Sequence, residues 1–295
     1  MGRSWFDAYP CVREIFEQAD DILKSNLSKT IFDGPESVLT ETKVAQPAIF
    51  VTSYAILTAL QHLFDLPTPV CTAGLSLGEY TALTAAGVMP FEIALPLVSL
   101  RGSLMHTACE ETQGTMLVIL GLLDDQVREM VDDLQLPSDL WCANFNCPGQ
   151  VVVSGTRKGI AAAEEAAKAR GARRTLPLQV HGAFHSGLMR QAEEALAKAL
   201  AEVPLSMSDI RVVMNVTGQC AESESQIRSL MARQVTSSVL WHQCVKTCEA
   251  QEVTCFLEIG CGKTLTGLNK RIGIQIPTMS IESTDDLKSL EAVFT

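Results

Sequence analysis

The chain has 295 residues, 47% hydrophobic, 19% charged and 5% aromatic, with a formal net charge of −11. This is a globular composition with ample apolar material for one large domain, or a large domain carrying a smaller one. The acidic balance excludes a general nucleic-acid binder, which needs a large positive field, and no apolar run reaches the roughly 18 residues of a membrane span.

The first stretch, Trp5 to Leu27, has helical spacing, and "IFDGPESVL" (Ile31–Leu39) reads as a turn and a short helix. Thr42 to Phe64 is a long helix with Pro47 in its first turns. Its apolar run from Ala45 is interrupted by Gln46, Pro47, Ser53, Gln61 and His62, so it reads as buried in protein. Pro69 to Leu75 is the first convincing strand. Helices Leu77–Val88 and Phe91–Cys109 follow, separated by Pro90. Next come strand Met116–Leu122, helix Asp124–Leu134 with an acidic N-terminus, and strands Trp141–Phe145 and Gln150–Ser154 across the turn "NCPG". An Ala-rich helix, Thr156–Gly171, leads to strand Arg173–Val180. The order β-α-β-β-α-β is the ferredoxin-like pattern. It predicts a subdomain over 114–180 inserted into a core of 1–113 and 181–295. The core resumes with helix Gly187–Glu202, strand Ile210–Val216, helices Glu222–Thr236 and Val239–Gln251, strand Cys255–Gly260 and helix "KTLTGLNKRI". Strands alternating with helices predict an α/β fold with a covered parallel sheet.

The ten cysteines form no C-x-x-C pair and no zinc ladder. They are expected to be reduced, mostly buried thiols in a cytoplasmic protein without a metal site. The N-terminus lacks the layout of a signal peptide.

"GLSLG" (Gly74–Gly78) places a serine between glycines where a strand becomes a helix. It reads either as a tight turn needing small residues or as a nucleophile elbow holding the Ser76 hydroxyl out of the backbone. A nucleophilic serine needs a base. His62, His106 and His242 lie within predicted helices and read as structural or surface residues. His181 and His185, in "VHGAFHSGLM" where the predicted domains rejoin, are the candidates, His185 ahead of His181. Only one good strand precedes Ser76, too few for an ordinary α/β-hydrolase. "KARGARR" clusters Lys168, Arg170, Arg173 and Arg174, either as cations at a helix C-terminus or as a phosphate-binding patch. Arg101 alone would read as a helix surface charge.

"GLSLGEYTALTAAGV", "RGSLMH", "NFNCPGQVVVSG", "GAFHSGLM", "RQVTSSVLW" and "LEIGCGKTLTGLNKRI" occur in the order and spacing of the malonyl-CoA:acyl carrier protein transacylases, and the chain resembles that family over nearly its whole length. The resemblance implies an α/β-hydrolase-like core with a short parallel sheet and a ferredoxin-like insert. It implies transfer of malonyl from malonyl-CoA to acyl carrier protein in fatty acid synthesis through an ester on Ser76, with no cofactor. His185 would be the base, Arg101 the holder of the malonyl carboxylate, Gln234 the backbone carbonyl that orients the histidine, and the Leu77 N–H an oxyanion donor. Arg173 and Arg174 would lie near the phosphates of coenzyme A. With Lys263, Lys270 and Arg271 they are candidates for docking an acidic carrier protein on a monomeric enzyme. Two other readings share these motifs: a trans-acting acyltransferase of a polyketide pathway, and a non-catalytic carrier-binding module.

The family usually has His where Leu75 stands and "GPG" around Cys261. It also begins with a strand and a "GQGSQ" loop that supplies a second oxyanion donor. The chain starts just after that loop, so Met1 is expected to be an internal methionine of a longer protein, with weak transfer if the chain truly starts there.

Overall fold

The computed structural model describes residues 1–180 and 182–294. The chain opens with α1 (Arg3–Ala8), α2 (Pro10–Leu23), α3 (Leu27–Asp33), α4 (Glu36–Leu39) and α5 (Thr42–Leu63). Strand β1 (Cys71–Ala73), α6 (Gly78–Ala85) and α7 (Phe91–Thr112) follow. The middle comprises β2 (Thr115–Leu120), α8 (Asp124–Asp133), β3 (Leu140–Cys147), β4 (Gln150–Gly155), α9 (Arg157–Ala169) and β5 (Arg174–Pro177). Then come α10 (Arg190–Ala201), β6 (Arg211–Met214), β7 (Gln219–Cys220), α11 (Glu224–Arg233) and α12 (Trp241–Glu249). The chain closes with β8 (Phe256–Ile259), α13 (Thr264–Ile272), β9 (Thr278–Ile281) and α14 (Leu287–Phe294).

These elements form two compact units, each discontinuous in sequence: Met1–Gly102 with Pro204–Val212 and Cys248–Thr295, and Ser103–Val203 with Val213–Thr247. In the first, α5 is the central helix. Phe50, Val51, Ala55, Ile56, Ala59 and Leu60 are buried along it, and Phe50 and Tyr54 stack on Phe91. The helix is long and apolar enough to cross a membrane, yet most of that stretch is buried. The predicted helix Trp5–Leu27 is in fact broken. Tyr9 is extended (φ −123°, ψ 124°) and Pro10 starts α2, because a proline ring disfavours helical geometry at the residue before it.

The parallel pairing expected of the core appears in β8 and β9, which align Phe256 with Thr278 and Ile259 with Ile281. Strand β9 was not foreseen. Its sequence, TMSI, alternates weakly, and three of its four residues are only half-buried. Glu258 of β8 turns back on the helix that follows. Its carboxylate accepts the N–H groups of Leu265 and Thr266, both at 2.8 Å, and the Thr266 hydroxyl at 2.6 Å. It thereby caps donors that a helix start leaves unpaired.

In the second unit, β2, β4 and β5 run antiparallel in the order β3-β4-β2-β5. One sheet face packs Leu117, Ile119, Phe145, Val151 and Val153 on Val127 and Met130 of α8 and Ile160, Ala163 and Ala167 of α9. The other face carries Met116, Val118, Ala143 and Val152. This alternation is the period-two pattern of a strand buried on both faces. The end of β6 pairs antiparallel with the two-residue β7, through Val213–Cys220 and Met214–Gln219. That hairpin departs from the all-parallel expectation, because a two-residue strand carries no periodic signal.

Replacing Glu258 by Ala strands two helix N–H groups and is expected to lower the unfolding free energy by about 1–3 kcal/mol, read as a lower urea midpoint at unchanged slope.

Candidate active site

Strand β1 ends at Ala73, and within four residues the chain enters α6. Ser76 sits at the tip with φ 52°, a left-handed conformation that costs a residue with a Cβ about 1–2 kcal/mol. The turn is held by three short-range bonds: Gly78 N–H to Leu75 O (2.9 Å), Glu79 N–H to Ser76 O (3.2 Å) and Tyr80 N–H to Leu77 O (3.0 Å). The Thr72 hydroxyl donates to Ala82 O (3.0 Å), tying strand to helix. Gly74 is obligatory, since a Cβ there would lie 2.0 Å from the carbonyl carbon and oxygen of Gly78. Gly78 itself has open space around its missing Cβ. The turn needs a small residue at Gly74, and it holds Ser76 in a left-handed conformation.

Arg101 reaches this serine from α7. The expectation of a surface charge for this residue taken alone is overturned, for it is 1% exposed. Its Nη2 donates to Ser76 Oγ at 3.1 Å and its Nη1 to Gln46 Oε1 at 2.5 Å, while Cζ lies 5.5 Å from the centre of the Tyr80 ring. Burial pulls the guanidinium pKa down, opposed by the charges of Tyr80 and Glu79, but an arginine so placed stays protonated at neutral pH. Burial also pushes the Tyr80 hydroxyl well above its ordinary value. Gly102 lets α7 approach α5, because a Cβ there would meet Thr42 O at 3.0 Å and Lys43 Cα at 3.1 Å. That approach brings Gln46 to Arg101. Sequence reasoning missed Gln46, Glu79 and Tyr80. The available signal was Gln46 as a polar break in an apolar helix.

The second unit holds the other candidates. His185 is buried (4% exposed) and, like Ser76, left-handed, with φ 57°. Its Nδ1 lies 2.8 Å from the Gln234 carbonyl oxygen. A carbonyl only accepts, so Nδ1 carries the proton and Nε2 is left with a lone pair. Gln234 is fully buried and its Nε2 donates to Asn215 Oδ1 at 3.3 Å. Asn215, buried just after β6, is a second residue that sequence reasoning missed. Its signal was a lone amide at the end of an apolar strand. Ser186 Oγ donates to Ala183 O (2.5 Å) and accepts from Leu188 N–H (3.2 Å), fixing the backbone after the histidine. Gly187 lies where a Cβ would come 2.6 Å from the Trp141 ring. His181, the rival base, lies outside the described residues.

The remaining histidines are as expected. His62 bonds Thr58 O at a helix end, and His106 and His242 face Glu110 (3.5 Å) and Asp124 (3.8 Å). In the basic cluster, Lys168 pairs with Glu164 and Arg170 with Asp133. Arg173 and Arg174 are exposed at the start of β5. Lys263, Lys270 and Arg271 are exposed in the first unit, with Lys263 3.4 Å from Asp286. All ten cysteines are thiols. Among the described residues no three His, Cys, Asp or Glu side chains converge as a metal site.

The first unit thus holds a left-handed serine at a strand-to-helix turn, hydrogen-bonded to a buried arginine. Residues 1–275 match the acyl transferase domain family. The malonyl CoA-acyl carrier protein transacylase of Bacillus subtilis is 37% identical over 289 residues, covering 98% of this chain and 90% of its own length. That of Escherichia coli K12 is 38% identical over 265 residues, covering 90% and 85%. An acyl carrier protein S-malonyltransferase from Vibrio cholerae has a TM-score of 0.94 at 36% identity, covering 98% of this chain and 94% of that one. A malonyl-transacylase solved in complex with its type II PKS acyl-carrier protein has a TM-score of 0.93 at 36% identity, covering 98% and 93%. The chain belongs to the acyl transferase domain family and, within it, to the malonyl CoA-acyl carrier protein transacylases.

The two glycines of the elbow are expected to behave differently. Gly74→Ala should cost about 1–3 kcal/mol or more through overpacking, whereas Gly78→Ala, in open space at a helix start, should leave stability within about 0.5 kcal/mol of the parent. Thermal unfolding of the two variants side by side checks this.

Proposed function

We propose that the chain is an acyl-carrier-protein S-malonyltransferase that works through a malonyl ester on Ser76. The observation that carries this reading is the Ser76 hydroxyl held 3.1 Å from a guanidinium that is itself almost wholly buried. Malonyl-CoA brings a thioester and a free carboxylate. A planar guanidinium can take that carboxylate through two charge-assisted bonds, which lysine cannot copy. Arg101 therefore gives up its contact with Ser76 for the substrate carboxylate, releasing the hydroxyl for attack.

His185 then takes the serine proton on Nε2, while the Gln234 carbonyl holds Nδ1–H and fixes the ring. The tetrahedral oxyanion forms beside the Leu77 N–H, at the start of α6, where unpaired donors and the helix dipole favour negative charge. The imidazolium returns the proton to the departing thiol of coenzyme A. The phosphopantetheine thiol of acyl carrier protein next gives its proton to His185 and attacks the ester, so one transfer becomes two easier steps. No cofactor is needed, since both carriers are substrates.

The core around β1 and α6 is read as α/β-hydrolase-like, spanning 1–113 and 181–295. Residues 114–180 are read as a ferredoxin-like subdomain, supported by the strand order β3-β4-β2-β5 and the two helices on one face. Arg173 and Arg174 are assigned to the phosphates of coenzyme A and, with Lys263, Lys270 and Arg271, to carrier docking in the cytoplasm. The relative solved with a type II PKS carrier protein favours polyketide supply as a second pathway for the same reaction.

Intact mass after brief mixing with malonyl-CoA is expected to show one malonyl adduct, absent in Ser76→Ala. An unmodified parent chain would overturn the ester mechanism. Arg101→Ala should lower kcat/KM for malonyl-CoA by at least about a hundredfold, the roughly 3 kcal/mol of a lost charged hydrogen-bond pair, while acetyl-CoA gains relative to malonyl-CoA in paired kinetics. Reversing Arg173 and Arg174 to Glu should raise the KM for carrier protein severalfold and flatten its salt dependence. An unchanged KM removes these residues from docking.

A further inference from the structure

Asn215 is the first residue after β6 and is fully buried. The turn that follows fixes its backbone. Gly218 N–H donates to Met214 O at 2.8 Å, Met214 pairs with Gln219 across the hairpin, and the Thr247 hydroxyl donates to Gly218 O at 2.5 Å. Gly218 stands at φ 65°, and a Cβ there would meet Gln243 Cγ at 2.4 Å, so α12 presses directly on the turn. From this fixed point Asn215 holds both ends of the connection between α11 and α12. Its backbone carbonyl accepts Leu240 N–H at 2.9 Å, just ahead of α12, and its Oδ1 accepts from Gln234 Nε2 at 3.3 Å, just after α11.

Gln234 is the residue whose backbone carbonyl meets His185 Nδ1 at 2.8 Å. That carbonyl sits at a helix end. Gln234 N–H bonds back to Leu230 O at 2.9 Å, while Gln234 O accepts Ser237 N–H at a long 3.4 Å. Helix ends fray, and their last carbonyls lack intrahelical partners. A carbonyl so placed keeps its direction only if side chains hold its residue. Two contacts do this: the Gln234 amide to Asn215, fully buried, and the half-buried Thr236 hydroxyl to Glu193 Oε2 at 2.6 Å. The first acts on Gln234 itself.

We propose that Asn215 is a positioning residue for His185, acting through the Gln234 side chain to aim the Gln234 carbonyl at Nδ1. The inference rests on the reading of His185 as the general base. Ser186 fixes the backbone after the histidine, but the ring still turns about its side-chain torsions. The direction of the carbonyl therefore decides the tautomer. With Asn215 in place, Nδ1 carries the proton and Nε2 keeps the lone pair that a base needs. Without it, the buried Gln234 amide loses an acceptor and turns toward another, carrying its carbonyl with it. The tautomers then mix, and the fraction protonated on Nε2 cannot accept a proton there.

The test uses the full chain with histidine isotopically labelled in its ring nitrogens and read by NMR, His185 being assigned by its loss in His185→Gln. The parent should show the Nδ1–H tautomer. Asn215→Ala should show a mixture with Nε2–H, with kcat down about tenfold to a hundredfold and the KM for malonyl-CoA within about twofold of the parent. Gln234→Leu, which keeps the backbone carbonyl and removes the amide, should reproduce both changes, and the double variant should be no worse than either single one. Asn215→Asp, which keeps an Oδ acceptor, should restore the Nδ1–H tautomer and most of the rate. An unchanged tautomer in Asn215→Ala, whatever its rate, would overturn the proposal, and so would losses that multiply in the double variant. If Asn215→Ala does not fold, Gln234→Leu decides by the same two readouts. The ring nitrogens report without substrate, so a parent chain that forms no malonyl ester removes the proposed transfer and leaves the tautomer comparison intact.

Discussion

The left-handed backbone at Ser76 is the constraint on which the rest of the first unit depends. A serine gains nothing locally from φ 52°, so the conformation persists only because its surroundings fix it from both sides. On one side β1 delivers the chain at Gly74, where backbone approaches backbone too closely for any side chain. On the other, α6 starts at once and is anchored by Tyr80 and Leu83, both fully buried. Strand and helix are rigid and the turn between them is short, so the hydroxyl has few places to point. The same device recurs at His185 in the second unit, where φ 57° is followed by a serine whose hydroxyl satisfies the backbone on either side of it.

Arg101 is the costlier feature. Taking a guanidinium out of water costs several kcal/mol unless hydrogen bonds and opposite charge replace the solvent. Gln46 and Ser76 supply neutral acceptors, the Tyr80 ring supplies a π face, and the Glu79 carboxylate acts through its field. An amide and a hydroxyl are weaker partners for a cation than a carboxylate. On the proposed reading, that difference in hydrogen-bond strength is what the malonyl group supplies.

Much of this was legible in the sequence, and the illegible parts share a cause. The Gly74–Gly78 motif and the "GAFHS" loop stood out because turns and small residues leave local marks, whereas Arg101 taken alone read as a surface charge and was singled out only through the family resemblance. The strand, helix, strand, strand, helix, strand order between β2 and β5 was legible because each segment is buried on a periodic face. Residues that act through distant partners left little mark. Gln46 and Arg101 are 55 positions apart and His185 and Gln234 are 49 apart, and no spacing rule connects them. The break at Tyr9 and the strand β9 were missed where local preference is weak and tertiary contact decides, as strand propensities generally allow.

The acidic balance of −11 raises a question for an enzyme whose substrates are all anionic, and burial answers it differently at two places. A charge at the surface acts within a Debye length of about 8 Å at physiological salt, so Arg173 and Arg174 can steer an approaching anion only locally, and salt screens them. Arg101 acts where water is excluded, and its field is weakened far less by salt. On the proposed reading, selection for a carboxylated acyl group belongs to a charge that salt barely reaches, while encounter with the carriers belongs to charges that salt controls. On that reading the separation would let docking stay weak and reversible, as a ping-pong exchange of two partners at Ser76 requires, without loosening the choice of acyl group.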